Sequence, residues 1–427
     1  MKQTYFLFLF IIFSVVSCTD KYTEEFMVNN PVFLSYDELR TSIKASPAKT
    51  LKNPGKIYFK DNHIFIVEEL SGIHVINYEN PENPQNITFI EIPGCVDIAI
   101  KNNSLYADSY IDLVVIDIAD LNQIKETNRI KNVLPYTVPP TGNQYPVTDV
   151  NAENGVVVRW KAETIRREIE QVSYPINQYP HYKFGNFRSD ASYSSLSSGS
   201  VSGGSSFGIG GSMARFGLYD KYLYVIDNSR CHVFNVEVAE SPVNSGSQSV
   251  GWDVETMFIY DNHMFLGTMS GMLIYSLENP VAPTSVSSFW HATSCDPVVV
   301  ADGYAYITLR NGVDCRASDI NRLDVIKLSD DYKDNFLISS FNMTNPHGLG
   351  IDGDILFLCD GDAGLKVFDA TDKVQVGNRR IAHFPNIHAY DVIPVNNILF
   401  MVGNDGFYFY DYSDVTDIKL KGKIAVK

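Results

Sequence analysis

Asp112-Leu113-Val114-Val115-Ile116-Asp117 is the stretch that decides the fold. Val114, Val115 and Ile116 are consecutive and branched, so a strand built from them has no polar face and must be covered on both sides. The same frame (a turn residue, an apolar run, a polar end) recurs as Gly72–Asn77, Arg230–Asn235, Gly271–Ser276, Arg322–Lys327, Gly364–Asp369 and Gly406–Asp411. The frames end at 77, 117, 235, 276, 327, 369 and 411, with spacings of 40, 118, 41, 51, 42 and 42. A period near 41 with two insertions follows.

About twenty residues upstream of each frame, two apolar strands flank a tight turn, as in Lys56–Phe65, Thr256–Phe265 and Leu349–Phe357. Asp61-Asn62, Asp261-Asn262, Asp352-Gly353 and Asn396-Asn397 supply turn pairs that tolerate left-handed backbone. Downstream, Asn80-Pro81 and Asn279-Pro280 mark another turn, and a fourth apolar stretch follows, as in Asn86–Ile92 and Ser285–Trp290. Each unit is therefore a four-stranded antiparallel meander of β-propeller period. The fold expected is all-β, a seven-bladed β-propeller of four-stranded antiparallel blades starting near residues 56, 95, 213, 252, 295, 346 and 387. A β-solenoid is the rival, but its coils are usually shorter.

These repeats resemble the LVIVD-repeat β-propeller family, with Leu113-Val114-Val115-Ile116-Asp117 as the nearest match. The likeness covers Lys56 to Lys427. Asn53–Phe65 and Ala107–Asp117 are similar to Bacteroidetes-type envelope lipoproteins of that family. The resemblance implies a propeller on the cell envelope and assigns no chemistry. Cys231 and Lys327 depart from the motif, which bears on strand register in blades three and five.

The N-terminus reads as an address. Lys2 precedes a short apolar run, Tyr5–Val16, and Val15-Val16-Ser17-Cys18 resembles a bacterial lipobox. Residues 1–17 are expected to be a lipoprotein signal peptide, with Cys18 the lipidation site that anchors the chain to the membrane. Residues 18–31 read as a tether, residues 32–55 as an N-terminal segment that includes a closing-strand candidate at Val32–Ser42, and residues 56–427 as the propeller. Thr19 replaces the Asp of an inner-membrane retention signal, so the expected location is the outer membrane of a bacterial envelope, with surface exposure signalled by Asp20, Glu24 and Glu25.

Composition narrows the partners. The chain has 427 residues, 34 basic and 50 acidic, for a formal net charge of −16. That balance opposes nucleic acid and anionic lipid as ligands. The body is read as monomeric. No GxxxxGK[ST], HExxH or paired CxxC occurs, so no catalytic residue, metal ligand set or cofactor is assigned. Five cysteines follow Cys18; Cys295 and Cys315 are the pair considered for a disulfide, because one starts blade five and the other lies in that blade's inserted loop.

The larger insertion runs from Lys131 to Ser212. Its Gly155–Gln171 stretch reads as a hairpin or as a strand followed by a short helix; its Ser189–Ser212 stretch is Ser/Gly-rich. The smaller is Arg310–Asn321, the second-to-third strand loop of blade five. By propeller topology both emerge on one face, where they either form a binding surface or are tolerated loops.

First strands line the axis. Lys56, Asp97, Arg215 and Tyr390 fall at one level of the channel, with Glu255, Asp296, His347 and His388 just outside. The set reads as a polar ligand pocket, or as a hydrated channel in which Lys56, Asp97 and Arg215 satisfy one another. His347 and His388 with Asp296 or Asp391 are the groups considered for a cation or acid–base set, without local ligand spacing to support it. The preferred function is a lipid-anchored, non-catalytic module for a protein or glycan ligand. The alternatives are an envelope glycan hydrolase or lyase using the axial His and acids, and an outer-membrane assembly scaffold.

Overall fold

The computed structural model describes residues 22–169, 197–198, 209–212, 214–290, 297–311, 320–426. Cys18, Cys295, Asp296 and Cys315 lie outside the described residues, as does most of the blade-five loop. Two compact units are present, and residues 36–136 and 191–427 form the larger.

The larger unit is a seven-bladed β-propeller of four-stranded antiparallel blades. Each repeat frame read from the sequence is the third strand of a blade: Gly72–Asn77, Asp112–Asp117, Arg230–Asn235, Gly271–Ser276, Arg322–Lys327, Leu365–Asp369 and Gly406–Asp411. Leu113, Val114, Val115 and Ile116 are all fully buried, because one side packs on the preceding blade and the other on the next. Every blade also carries a register shift between strands three and four at the same place, for example at Val75/Ile76 and Val325/Ile326. A bulge there increases twist and fans the outer strand. Blades three and five keep this register, with Cys231 opposite Gln248 and Lys327 opposite Phe336.

The frame's first and last positions have separate jobs. Four frames begin with Gly, where a Cβ on Gly72 would fall 2.0 Å from the Ile90 carbonyl oxygen of the fourth strand. The polar end caps the next turn. Asn77, Asp117, Asn235, Asp369 and Asp411 each accept from the backbone N–H two residues on, at 2.8–2.9 Å. Tyrosines tie blades together: Tyr106 donates to the Ala239 carbonyl, Tyr224 to that of Pro280, and Tyr412 to Asp352, at 2.7–2.8 Å.

The ring closes without strand exchange. Blade seven ends with its own outer strand, Lys419–Ala425. Leu51 bridges Val426, and Ile57, Phe59 and Ile66 pack against Phe400, Phe407 and Phe409. Val32–Ser42 is not a closing strand. Its last part includes a helical turn, Tyr36–Leu39. From there Arg40 reaches buried Asp112 of blade two at 3.0 Å, and Lys44–Pro47 adds a strand to the outer edge of blade one. Residues 36–47 therefore clip two blades together at the rim.

The smaller unit comprises residues 1–35 and 137–190. Its Tyr22–Leu34 strand pairs antiparallel with Val156–Ile169. This corrects two readings. Much of the expected tether is strand, and Val156–Ile169 is neither a local hairpin nor a strand with a helix. Matched charges support the pairing: Glu24 faces Arg167 and Glu25 faces Arg166, with ion pairs of 3.0 and 2.6 Å.

Candidate functional site

All seven first strands start at the same face of the propeller, called here the mouth face. The second-to-third strand turns and the ends of the fourth strands share it, so both insertions leave their blades there. The axial residues read from the sequence separate into two groups.

The first group belongs to blades one to three and is closed on itself. Lys56 and Asp97 are buried, and Lys56 Nζ lies 3.1 Å from Asp97 Oδ2. The same carboxylate accepts from the backbone N–H groups of Arg215 and of Phe216, the latter at 3.1 Å. Its other oxygen accepts from Ile98 N–H at 2.8 Å. Behind it, Asp108 accepts from Val96 and Asp97 N–H, and burial pushes its carboxyl up to about 6. Burial holds the Lys56 ammonium below the usual lysine range against the pull of Asp97. These contacts make Lys56 and Asp97 a three-blade lock, and Arg215 contributes its backbone to it.

The second group belongs to blades four to seven. His347 is 4% exposed, and neither ring nitrogen has a hydrogen-bond partner among the described residues. Its ring centroid lies 5.7 Å from that of His388 and 5.3 Å from that of Tyr390; the latter two are 4.6 Å apart. The His347 backbone is pinned on two sides, donating to the Cys359 carbonyl at 2.7 Å and accepting from Thr308 Oγ1 at 2.6 Å. Burial, then the nearby Arg310 and His388 charges, keep the imidazole well below its ordinary pKa, so it is neutral. His388 Nδ1 engages exposed Asp362. Glu255 is 8% exposed, and burial raises its carboxyl to about 7 although Arg215 and Arg310 oppose the shift.

Between the groups runs a piece of the Ser/Gly-rich insertion. Ile209–Ser212 pairs with the inner edge of Pro54–Lys60 and borders the first strands of blades four, six and seven. Ser212 Oγ donates to Asp391 Oδ1 at 3.3 Å and accepts from Leu349 N–H at 2.9 Å. Asp391 is fully buried, and desolvation raises its carboxyl well above the usual range. Gly348 leaves room for this acid: a Cβ there would lie 2.1 Å from Asp391 Oδ1. The channel read from the sequence as hydrated is thus partly filled by the chain itself.

Asp391 spends one oxygen on Ser212, and no group of three or more His, Cys, Asp or Glu side chains is placed to share a cation among the described residues. Asp360 and Asp405 hold turns together. Asp360 caps Thr344 and Asn345 and pairs with Lys366; Asp405 holds Tyr408 and Lys423. The sequence reading missed Ser212 and Arg310 as members of the axial environment. It also missed Trp252 and Trp290, which are 74% and 66% exposed on the mouth face of blade four. The scarcity of tryptophan, three in the chain, was the available signal.

The sequence matches no protein-family profile and no curated protein. Among solved structures, a protein from Lactobacillus plantarum aligns over 80% of this chain and 88% of its own, with a TM-score of 0.50 and 12% identity. A candidate 6-phosphogluconolactonase from Bacteroides uniformis aligns over 88% of this chain and 98% of its own, with a TM-score of 0.50 and 8% identity. At such identities the likeness speaks for the propeller fold alone.

Proposed function

We propose that this chain is an LVIVD-type envelope lipoprotein, anchored through Cys18, whose propeller binds a polar ligand at the mouth without turning it over. The observation that carries the reading is His347. A buried imidazole whose two nitrogens have no partner among the described residues costs stability unless something uses it. A ligand entering beside His388 and Tyr390 would supply the missing hydrogen bonds, with Glu255 and Arg310 nearby in the same charged environment. Binding is favoured over acid–base turnover because Asp362, the acid beside His388, is paired with it, and Asp97 is paired with Lys56.

The test separates binding from folding. His347→Phe keeps a planar ring and removes the orphan nitrogens, so melting temperature should hold or rise. A thermal-shift screen over sugars, sugar acids, amino acids and short peptides should give a stabilising compound for the wild type that no longer acts on this variant. A compound that stabilises both equally would move the site elsewhere. For the anchor, Cys18→Ala should abolish labelling by a palmitate analogue and release the protein from the membrane fraction. Unchanged labelling would sink that part of the proposal.

A further inference from the structure

Large apolar side chains are exposed at both ends of the blades, but not in the same way. Ile87, Val238, Val243, Val281, Phe336, Leu337, Val374 and Leu420 all sit in third-to-fourth strand turns or in the first half of a fourth strand, away from the mouth. On the mouth face, the large exposed apolar side chains among the described propeller residues are Trp252 and Trp290 alone. Both belong to blade four. Trp252 lies in the connection entering its innermost strand, three residues before Glu255. Trp290 ends its outermost strand, opposite Gly271. Three strand spacings separate the two positions, roughly 14 Å along the blade radius. Between them lies the short turn 268–271, in which Thr268 and Gly271 are buried and Met269 and Ser270 form the surface.

We infer that the mouth ligand is an oligosaccharide laid radially across blade four, with sugar rings stacked on Trp252 and Trp290 and its inner end at His347; this rests on the binding role proposed above. The chemistry favours a sugar over the other occupants of exposed indoles. A pyranose has an apolar face that stacks on an indole and a rim of hydroxyls that needs polar neighbours. Two flat platforms separated by a turn that carries the Ser270 hydroxyl beside Met269 match that alternation. A protein partner needs a larger continuous interface with an apolar centre, and these two isolated side chains do not form one. An anionic bilayer would be repelled by a chain of net charge −16. The separation of the platforms matches a tri- or tetrasaccharide, and the His347 ring, neither of whose nitrogens has a partner among the described residues, offers one donor and one acceptor suited to uncharged hydroxyls.

The experiment is a glycan array of bacterial and host oligosaccharides probed with the wild-type chain, Trp252→Ala, Trp290→Ala, Trp290→Tyr and His347→Phe, followed by tryptophan-fluorescence titration of the best glycan and its shorter fragments. The expected result is binding to chains of three or more sugars, weakened about tenfold by either Ala variant, largely restored in Trp290→Tyr, and absent for disaccharides. Melting temperature should be unchanged in the tryptophan variants, since both side chains are exposed. Glycan binding that survives both Ala substitutions but is lost in His347→Phe overturns the platform and spares the axial site. Loss in the Ala variants with full binding by His347→Phe keeps the platform and overturns the axial reading. Failure of the wild type to bind any array glycan overturns the inference, as does a fluorescence shift produced by neutral phosphatidylcholine vesicles and by no glycan.

Discussion

The two faces of the propeller obey different rules. On the face away from the mouth, five blades end their third strand with Asn or Asp, and each side chain caps the N–H two residues on. Blade four uses Ser276 in the same way, at 3.2 Å. Neither insertion opens there, and the chemistry repeats because each blade faces the same task. On the mouth face the axial side chains change character from blade to blade. Lys56, Asp97 and Tyr390 align at one level with Glu255 and His347 just outside it, they have little else in common, and both insertions open there. A repeat that is kept reports on packing, and one that is broken on one face only marks where something else is being served. Even so, the mouth is not uniformly functional, since half of its polar residues are committed to one another.

The largest effect should come from breaking that committed half. Asp97→Ala would leave buried Lys56 without its carboxylate and strip acceptors from the N–H groups of Arg215, Phe216 and Ile98. Removing one partner of a buried pair costs about 3–5 kcal/mol, so urea midpoints should fall steeply. A change near zero would show that the lock is not part of the folding core, and would return Lys56 and Asp97 to the ligand site.

Glu255 sharpens the contrast through pH. Its carboxyl titrates near 7 when folded and near the ordinary glutamate value when unfolded. The folded state therefore holds the proton over a range where the unfolded state has lost it, and stability falls as pH rises from about 4 through 7. The expected loss is about 2–3 kcal/mol for this one group. Glu255→Gln should flatten that part of the curve and be the more stable protein at pH 8. Parallel curves for the two proteins between pH 5 and 8 would refute the assignment.

Ser212 tests the strand inside the channel. Ser212→Ala removes the acceptor of Leu349 N–H and the donor to Asp391, both buried. The expected cost is about 2 kcal/mol, with faster hydrogen exchange at Leu349. If stability and exchange are unchanged, Ile209–Ser212 does not hold the axis together in solution.

These expectations show what the sequence made legible. Blade number, third strands and the location of both insertions were readable because packing between blades imposes a both-faces-apolar strand, and Val114, Val115 and Ile116 advertise it. Alignment on the first strands also brought out Lys56 with Asp97, and His347 with His388 and Tyr390, which the structure places together. The contacts themselves were not readable. Lys56 with Asp97 is a contact across 41 positions and Ser212 with Asp391 one across 179, and neither leaves a local pattern. The pairing of Tyr22–Leu34 with Val156–Ile169 was hidden for the same reason, since the partner lies in a distant insertion. Positive φ at Asp261, Asn262, Asn396 and Asn397 matched the expected turn chemistry, whereas the turn after Asp352 is made by Gly353 and Asp354.

The smallest effect concerns the one blade that breaks the rule on the regular face. Blade five ends its third strand with Lys327, which cannot accept a hydrogen bond. The N–H of Ser329, which a carboxylate at this position would have capped, is instead accepted by Asn335 Oδ1 at 3.1 Å, from the far side of a longer turn. The turn has thus kept the hydrogen bond and changed the residue that makes it. Lys327→Asp alone should therefore change stability by only a few tenths of a kcal/mol, because its target is already satisfied. Asn335→Ala should cost about 1–2 kcal/mol, since it also loses donors to the Tyr332 carbonyl and Ser287 Oγ. When Lys327→Asp and Asn335→Ala are combined, the introduced carboxylate should recover the share owed to Ser329 N–H, about half of the loss, and the cycle should give a coupling energy of about 0.5–1 kcal/mol. Strict additivity would mean that Asn335 acts only through Tyr332 and Ser287. The caps of the regular face would then be local accidents of each turn rather than one device that blade five has reached by another route.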